Sequence, residues 1–523
     1  MPELTWIGKE KVVNHHQEVP LRVLERQYTY GAGDSDNMII HGDNLEALKS
    51  LLPRYEGKIK CIYIDPPYNT GNEGWVYNDN VNDPKIRKWL GEVVGKEGED
   101  LSRHDKWLCM MYPRLKLLQK LLADDGAIFI SIGDDENASL KMICNEIFGE
   151  KNFVDTIIWQ KIYTVKNSAQ YFSGMHDYIM VFAKSKENFK RNLFPRTAEI
   201  DSSYTNPDND PRGVWTTNAI QARNYYAQGS YEIVSPTGKV FLPPAGTYWR
   251  VSQNHFRELD ADNRIWWGLD GKSVPRIKKF LSEAKQGIVP TTFWSYKDAG
   301  QNADAKQEIR KIFAGEQDIF TTPKPSRLIE RILQIASDTN SIILDSFAGS
   351  GTTAHAVLNM NKADGGHRKF ILIEMMDYAD SITAERVKRV IDGYGEGKSA
   401  VEGTSGSFGY YELGPVLLQP DGNLNEAVGV ERIREYIWYT ETKTAYAPGA
   451  GDNTYYLGRY GDTGYYFYYE PDQLTILNHA FLPSISEKAG GYVVYADRCA
   501  LSNAELAEYG IIFKKIPRDI TKI

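Results

Sequence analysis

The chain has 523 residues, which is too long for one ordinary core and predicts about three domains. With 42% hydrophobic and 25% charged residues the composition is globular, which excludes disordered, collagen-like and coiled-coil chains. The formal net charge of −8 excludes a uniformly basic coat for nucleic acid, although a local basic groove is enough to bind it. The four scattered cysteines match no zinc site or disulfide framework. Because the sequence has no signal-peptide pattern and no 18-residue apolar run, we expect a cytoplasmic protein without membrane contact.

The first 150 residues alternate between helix and strand patterns. Asp43 and Glu46 have the spacing of a capping box, and the helix that they begin is predicted to end at Pro53. The apolar run 61–64 predicts a buried strand that leads into Asp65. Further patterns predict a helix through Leu115, Leu118 and Leu122, a strand over 127–132, and a helix through Leu140, Ile143 and Ile147 that ends at Gly149.

The pattern changes between about residues 185 and 300, where Pro, Gly, Asn, Trp and Tyr crowd together. This composition predicts an irregular insert with short strands. Alternation then returns, with predicted helices over 328–335 and through 356–358 and strands over 341–344 and 369–373. After the Gly- and Ser-containing stretch 393–409, a tyrosine-rich segment predicts a separate module of mixed strands with one helix near 504–508.

Alternating strands and helices predict an α/β fold with a mostly parallel sheet. The composition changes divide the chain into an N-terminal extension (1–34), a first α/β half (35–184), the insert (185–310), a second α/β half (311–395) and an α+β C-terminal module (396–523).

The first motif that carries chemistry is Asp65-Pro66-Pro67-Tyr68 at the carboxyl end of the predicted strand, where open α/β sheets bind ligands. The prolines cannot donate backbone hydrogen bonds and they stiffen the turn. The Asp65 carboxylate and the Pro66 carbonyl are therefore two acceptors beside an aromatic ring. Such a site suits a planar molecule with an exocyclic amine, whereas the alternative is a rigid turn that merely ends a strand.

The second motif is the glycine loop Asp345-x-Phe347-x-Gly349-x-Gly351 between a strand and a helix. A ligand can approach its backbone closely, and a helix N-terminus points at the ligand. Glu374, one strand later, is in a position to bind both hydroxyls of a ribose. The loop also fits a dinucleotide fingerprint, but a nicotinamide enzyme gives no reason for the proline-proline-tyrosine turn.

Together the two motifs resemble the DNA amino-methyltransferases, which use S-adenosylmethionine (SAM) to methylate exocyclic nitrogens. The catalytic motif precedes the SAM loop, with the insert between them, as in the permuted beta class. The segments 64–71, 158–161 and 347–353 are similar to those of modification (Mod) subunits of type III restriction systems and their solitary relatives. The resemblance implies a Rossmann-like methyltransferase domain, with a catalytic half before the insert, a SAM-binding half after it, and target recognition in the insert.

The resemblance also implies roles for individual residues. Asp65, Pro66, Pro67 and Tyr68 would form the catalytic motif, with the first two holding the target amine and Tyr68 stacking on the flipped base. The implied SAM contacts are Asp43, Lys324, Asp345, Phe347, Gly349, Ser350, Gly351, Thr352 and Glu374. Direct methyl transfer requires no metal. Aspartate at the head of the tetrapeptide is typical of enzymes that methylate N6 of adenine.

Double-stranded DNA is the partner that the resemblance implies, together with a restriction subunit and a second copy of the chain. Basic residues in and beside the insert are candidate DNA contacts: Lys161, Lys166, Lys190, Arg191, Arg276 and Lys278. Because no translocase motif occurs, any restriction activity must reside on another polypeptide.

The main prediction is a SAM-dependent, site-specific adenine methyltransferase of duplex DNA. Three alternatives remain open at this point: an N4-cytosine enzyme, a dinucleotide-dependent oxidoreductase, and a recognition subunit without catalysis.

Overall fold

A computed structural model describes residues 4–33, 35–70, 103–285, 287–316, 319–447 and 454–518. Gly71, the last residue of the segment 64–71, lies outside them. The chain divides into two compact units, a larger one of Met1–Asn192 with Thr291–Ile523 and a smaller one of Leu193–Pro290. No helix within the described ranges has the length and apolar character that crossing a bilayer requires.

The larger unit is built on a mixed sheet to which the described residues contribute ten strands. They are β1 (Arg22–Gly31), β2 (Met38–His41), β3 (Ile59–Ile64), β4 (Leu122–Ile132), β5 (Phe153–Gln160), β6 (His176–Ala183), β7 (Phe293–Trp294), β8 (Ile342–Asp345), β9 (Lys369–Glu374) and β10 (Ser407–Val416). Their order is β1-β10-β2-β9-β8-β3-β4-β6-β5-β7. Only the β1/β10, β4/β6 and β5/β6 pairs are antiparallel, which confirms the mostly parallel α/β sheet.

Helices cover this sheet. They are α1 (Asn44–Tyr55), α2 (Arg103–Leu121), α3 (Asp134–Phe148), α4 (Asn302–Ile312), α5 (Ser326–Ala336), α6 (Thr352–Asp364) and α7 (Glu385–Asp392), with shorter turns of helix at Lys9–Val12, His15–Glu18 and Tyr296–Ala299. The leucine and isoleucine faces predicted for α1, α3 and α5 are buried in the core, as expected for amphipathic helices.

Helix α1 shows why some predicted boundaries held and others did not. Asp43 caps it, because its carboxylate accepts hydrogen bonds from the backbone N–H groups of Leu45 and Glu46. The predicted end at Pro53 is wrong: the Pro53 ring is buried within the helix, which continues to Tyr55. Glu46 accepts a hydrogen bond from Arg22 Nε at 2.7 Å and does not complete a capping box with Asp43.

The register of β3 and β8 brings the two sequence motifs together. Cys61 is paired with Ile343 and Ile62 with Leu344 in parallel strands. Asp65 follows β3 directly and Asp345 ends β8, so both carboxylates lie at the carboxyl edge of the sheet although 280 residues separate them (345 − 65). Leu122, which was predicted in a helix, instead begins β4, and its partner there is Ile59.

The sheet extends beyond the predicted borders of the α/β halves. Strand β10, in the predicted C-terminal module, pairs with β2 in parallel and with β1 in antiparallel orientation. Strand β1 lies within the predicted N-terminal extension. Pairing between segments almost 400 residues apart leaves no local pattern in the sequence. The domain boundaries themselves stay predictions.

After β10 the chain forms a second sheet of β11 (Tyr456–Tyr460), β12 (Thr463–Phe467), β13 (Gly491–Ala496) and β14 (Ile511–Lys515), in that order. The predicted helix near 504–508 is confirmed as α9 (Asn503–Glu508), whereas α8 (Val430–Thr442) was not predicted. Tyr465 and Tyr495 pack with Trp438 in a buried cluster. These tyrosines therefore belong to a core.

The smaller unit consists of short strands and one longer helix, Gln253–Ala261. Its three-stranded sheet joins Ile265–Trp266, Arg276–Phe280 and Trp215–Ala219, and two-residue ladders pair Gln221–Ala222 with Tyr248–Trp249 and Ile233–Val234 with Val240–Phe241. Its core contains Ile220, Ile233, Trp249, Phe256, Ile265 and Trp267. The aromatic side chains of Trp249 and Trp267 are thus core residues of this unit.

Candidate functional site

Two clefts adjoin at the carboxyl edge of β3 and β8. The tyrosine cleft contains about 1080 Å³ of space, part of it open to solvent, and its lining includes Asp65, Pro66, Pro67, Tyr68, Lys161, Lys166, Asp177, Asn302, Thr322 and Lys324. The glycine-loop cleft contains about 320 Å³, also partly open to solvent, and its lining includes Asp65, Thr322, Lys324, Asp345, Phe347, Gly349, Ser350 and Thr352. Asp65, Thr322 and Lys324 line both clefts, so a ligand in one can touch a ligand in the other.

One oxygen of the Asp65 carboxylate is hydrogen-bonded, and the other, which we call the open oxygen, is not. Its Oδ2 accepts a hydrogen bond from Lys324 Nζ at 2.5 Å. Its Oδ1 is buried and has no hydrogen-bond partner among the described residues. A buried acceptor without a donor carries a desolvation cost that a bound N–H group would remove. The Asp65 carboxylate is therefore prepared to accept a hydrogen bond from a ligand.

Side chains from α2 and α3 hold the tetrapeptide in place. Trp107 Nε1 donates to the Pro67 carbonyl at 2.6 Å. Asn69 has a left-handed backbone, with φ of 57°, and its amide donates to the buried Glu136 at 2.5 Å. Burial raises the pKa of Glu136. Sequence reasoning missed both Trp107 and Glu136, because neither lies within a recognisable motif.

The Tyr68 ring is positioned as a platform rather than as an acid or base. A Cβ atom added at Gly133, just beyond β4, would lie 3.0 Å from the Tyr68 ring, so any other residue there would displace the ring by a few tenths of an ångström. Burial raises the pKa of the Tyr68 phenol well above its ordinary value, so the phenol stays neutral. Its hydroxyl is buried near the Asp65 carboxylate, without a hydrogen bond of normal geometry in the described part of the chain.

An ion pair between β5 and β6 forms part of the tyrosine cleft. Lys161 Nζ lies 2.5 Å from Asp177 Oδ1, and Asp177 is buried. Burial raises the pKa of Asp177, while Lys161 opposes that shift. Asp177 was not predicted, because a lone acid at the start of a strand gives no spacing signal. Lys161, predicted as a DNA contact, is half-buried within the cleft.

The glycine loop between β8 and α6 requires its glycines. Gly349 and Gly351 have φ values of 52° and 79°, and a Cβ at Gly351 would come within 2.9 Å of the Thr383 carbonyl oxygen. Asp345 stabilises the loop by accepting from Phe347 N at 3.0 Å and Thr353 Oγ1 at 2.5 Å. Burial nevertheless raises the pKa of Asp345 to about 7.

Two predicted SAM contacts are engaged elsewhere. Glu374 is buried and accepts from Gly349 N at 2.7 Å and from Met376 N at 3.0 Å, and burial raises its pKa to about 7. Asp43 caps α1 and does not line the glycine-loop cleft. Glu374 does not line it either. Their contacts with a ribose and an adenosine moiety stay predictions, and in this structure Glu374 holds the loop backbone.

A buried arginine that sequence reasoning missed lies beneath the same loop. Arg386 of α7 donates to Ser350 Oγ at 2.9 Å and to Thr352 Oγ1 at 2.7 Å. It also donates to Glu308 Oε2 at 2.8 Å and lies 3.1 Å from His355 Nδ1. Burial lowers the pKa of His355 to about 4, so this histidine is neutral and packed. Arg386 thus fixes two hydroxyl groups that line or border the glycine-loop cleft.

The comparison with protein families decides the class. A model described as DNA methylase, for the N6 and N4 enzymes, matches residues 59–385. The chain belongs to this DNA methylase family. The matched range includes both motifs, both clefts and the whole smaller unit.

Individual relatives agree with this assignment. The chain is 36% identical over 423 residues to the StyLTI Mod subunit of a type III restriction-modification enzyme from Salmonella typhimurium, covering 74% of this chain and 62% of the relative. It therefore spans less than two thirds of that relative's length. It is 61% identical over 307 residues to the type II methyltransferase M1.MboII from Moraxella bovis, covering 58% of this chain and 82% of the relative.

Among solved structures, TTHA0409 from Thermus thermophilus, titled a putative DNA modification methylase complexed with SAM, matches 68% of this chain and 95% of its own. The identity is 15% and the TM-score is 0.33. A score this low adds nothing to the family assignment.

The predicted DNA contacts of this DNA methylase differ in their surroundings. Lys166 is exposed at the tyrosine cleft, and Lys190, Arg191 and Arg276 are also exposed. The prediction for Lys278 is wrong. Its side chain is buried, with 1% of the residue exposed, and its ammonium group contacts the carboxylates of Asp208 and Asp210. The segment that supplies these acids lies some 70 residues earlier, so the basic run around Lys278 gave no hint of the pairing.

No group of three or more potential metal ligands comes together within the described ranges.

Proposed function

We propose that this DNA methylase transfers a methyl group from SAM to the N6 amine of adenine in duplex DNA, as the modification component of a restriction-modification system or as a solitary relative. The observation that carries the proposal is the shared wall of the two clefts, where the open oxygen of Asp65 lies beside the glycine loop. A methyl donor and a planar amine would meet at this wall.

The glycine-loop cleft fits SAM. Gly349 lines the cleft without a side chain, so a ligand can approach the loop backbone closely there. Asp65 and Asp345 both line the cleft, and two carboxylates suit a positively charged sulfonium. Lys324 also lines it, and its ammonium group has further N–H donors, beyond the one that it gives to Asp65, for the carboxylate of SAM. When bound, SAM supplies an electrophilic methyl group on a cationic sulfur.

The tyrosine cleft fits an extruded nucleobase. A base within duplex DNA hides its amine in the stack, so a DNA-modifying enzyme must rotate it out at a cost of a few kcal/mol. The Tyr68 ring would stack on the base, while Asp65 Oδ1 and the Pro66 carbonyl would accept the two amine protons. Accepting both protons withdraws the nitrogen lone pair from conjugation and directs it towards the methyl donor.

Transfer then forms one nitrogen–carbon bond and breaks one carbon–sulfur bond, with a neutral thioether leaving. The chief contribution of the protein is alignment, because two held reactants behave as one molecule. The methylated amine carries a positive charge until it loses one proton, which Asp65 Oδ1 is placed to receive. Lys324 donates to the other oxygen, Oδ2, and keeps it pointed away from the amine.

The partners follow from the same assignment. The StyLTI relative is by its name a Mod subunit of a type III restriction-modification enzyme. We therefore propose duplex DNA as substrate, a restriction subunit as a partner, target recognition by the smaller unit, and a homodimer. Lys166, Lys190, Arg191 and Arg276 remain the proposed phosphate contacts, since all four are exposed.

The decisive experiment is single-molecule sequencing of DNA from a methylation-deficient bacterial host that expresses the chain. We expect N6-methyladenine at one short sequence, and none with the Asp65→Ala variant. N4-methylcytosine would redirect the proposal to the cytosine class. If the DNA is unmodified and calorimetry shows that the chain binds NAD but not SAM, the proposed methyltransferase activity would be replaced by that of an oxidoreductase. Unmodified DNA with sequence-specific DNA binding would indicate a recognition subunit.

A further inference from the structure

The loop between β5 and β6, residues 161–175, carries the most exposed aromatic side chain among the described large hydrophobic residues. Phe172 is 94% exposed and its neighbour Tyr171 is 83% exposed. Large apolar side chains that remain in water in this way bring no stability to the fold, and adjacent pairs of them mark interaction sites. The pair therefore calls for a partner outside the chain.

The loop is held in shape although its tip is exposed. At its base Ile162 N donates to the Met175 carbonyl at 3.3 Å, and Asn302 N donates to the Lys161 carbonyl at 3.0 Å. Tyr163 stacks on Tyr296 with ring centroids 5.2 Å apart. Nearer the tip, Lys166 N donates to Ser173 Oγ at 2.9 Å. These contacts close the loop on both sides of residues 167–172, so the two aromatic rings are presented on a fixed support.

Position and charge identify the partner. Ile162, Lys166 and Gly174 of this loop line the tyrosine cleft, so the tip stands at its rim. The loop contains no acidic residue, in a chain whose acids outnumber its basic residues 69 to 61; of its two lysines, Lys161 is paired with Asp177 and Lys166 is exposed near the tip. An aromatic tip with a cationic base is complementary to stacked bases between phosphates, whereas a purely apolar protein surface would not need the lysines.

We propose that Tyr171 and Phe172 form a wedge that enters the DNA stack beside the target base and fills the space that the base leaves when it rotates into the tyrosine cleft. This inference rests on the proposed function, because it assumes that a base is extruded there. Stacking on the wedge compensates part of the lost base stacking. The wedge thus lowers the cost of extruding the base and does not take part in the methyl-transfer step.

The test uses a duplex that carries the methylated sequence found by sequencing, and a second duplex with an abasic site opposite the target base. On the paired duplex, Phe172→Ala should lower kcat/KM roughly 5- to 100-fold, the range expected for losing one stacked base. The double variant with Tyr171→Ala should lose more. On the abasic duplex both variants should regain most of the lost kcat/KM, since that target base has no pairing partner and leaves the stack readily.

The matched control is Tyr509→Ala, which removes an exposed aromatic from the C-terminal sheet region and should leave both rates unchanged. A fluorescent analogue at the target position should report weaker extrusion by Phe172→Ala in the absence of methyl transfer. Equal losses on the paired and abasic duplexes, or no loss on either, would overturn the wedge. A change of oligomeric state with normal extrusion would assign the tip to a protein contact instead. Failure of the unsubstituted chain to methylate any DNA would refute the proposed function itself.

Discussion

Lys324 Nζ lies 2.5 Å from Asp65 Oδ2, and the same ammonium group lies 5.0 Å from the centre of the Tyr68 ring. One cation thus contacts both groups to which we assign the target base. The contact ties the segment before α5 to the tetrapeptide after β3. It also decides which of the two Asp65 oxygens remains available to a ligand.

This pairing predicts an energetic coupling between Lys324 and Asp65. Lys324→Met should lower kcat for methyl transfer at least about 10-fold, because Asp65 loses the donor that orients it. In the Asp65→Asn background the same substitution should cost much less, so the two effects should not add. Rates at saturating SAM measure the coupling. Fully additive losses would mean that Lys324 acts only on SAM.

Asp65 itself should be indispensable for transfer but not for cofactor binding. Asp65→Asn keeps the shape of the side chain but removes the charge, and it should lower kcat by roughly 100-fold or more. Calorimetry should find SAM affinity within a few-fold of the unsubstituted chain, since the glycine loop remains intact. Near-normal turnover of Asp65→Asn would remove Asp65 from the mechanism.

The binding of SAM should depend on pH through Asp345. Burial raises the pKa of this cleft residue to about 7. A cationic ligand favours the ionised carboxylate, so SAM affinity should rise as the pH rises through 7 and level off above about 8, with up to about 10-fold lost for each pH unit below the pKa. Calorimetry at pH 6, 7 and 8 measures this.

S-adenosylhomocysteine provides the control for that prediction, because its sulfur is neutral. Its affinity should change less over the same pH range. Asp345→Asn should reduce the pH dependence of SAM binding, and Glu374, whose pKa burial also raises to about 7, should account for what remains. Identical pH profiles for the two ligands would show that Asp345 does not respond to the sulfonium charge.

Arg386 is a positioning residue for the glycine loop, since it holds Ser350 and Thr352 from below. Arg386→Met should raise the KM for SAM about 10-fold or more, because each lost charged hydrogen bond is worth about 1.5 to 3 kcal/mol. kcat at saturating SAM should change less. Ser350→Ala with Thr352→Val removes the same bonds but leaves the half-buried Glu308 paired with Arg386, and it should reproduce the shift in KM.

The control for Arg386 lies on the same helix. Arg389→Met removes a half-buried arginine that pairs with Glu385 and Glu316 and does not touch the loop. Its KM for SAM should remain normal. An equal rise in KM for both variants would point to general disturbance of α7.

Lys278 should be structural. Lys278→Met leaves Asp208 without a cation and leaves the buried Asp210 with Arg212 as its remaining cation, and it should lower the free energy of unfolding by roughly 1.5 to 3 kcal/mol. Lys279, its exposed neighbour on the same strand, is the matched control, and Lys279→Met should change stability by less than about 0.5 kcal/mol. Urea denaturation followed by tryptophan fluorescence distinguishes them. Equal stability of both variants would contradict the structural role.

Much of the site could be predicted because its signals are local. The apolar run 61–64 forms a buried strand, and Asp43 caps α1, which follows it directly. The glycines at 349 and 351 have backbone angles that other residues avoid. Each of these depends on neighbours within a few residues. The mostly parallel sheet followed from their alternation.

The remainder depends on contacts between distant segments. Lys278 looked like part of a basic surface until folding brought Asp208 to it, and Asp177 gains meaning only beside Lys161 on the adjacent strand. Arg386 lies in an ordinary amphipathic helix, and only the folded chain places it under the glycine loop. Pro53 was misread because local rules give the cost of a proline in a helix but not the benefit of burying its ring.

The larger unit secures both ends of the segment that interrupts it. Asn192 N donates to the Ile335 carbonyl at 2.9 Å, and Ile158 N donates to the Thr292 carbonyl at 2.7 Å. None of the ten strands of the main sheet comes from residues 193–290. Insertions and deletions inside that stretch would therefore leave every pairing of the main sheet intact, and we expect members of the family to vary more in length there than in the sheet that carries the two clefts.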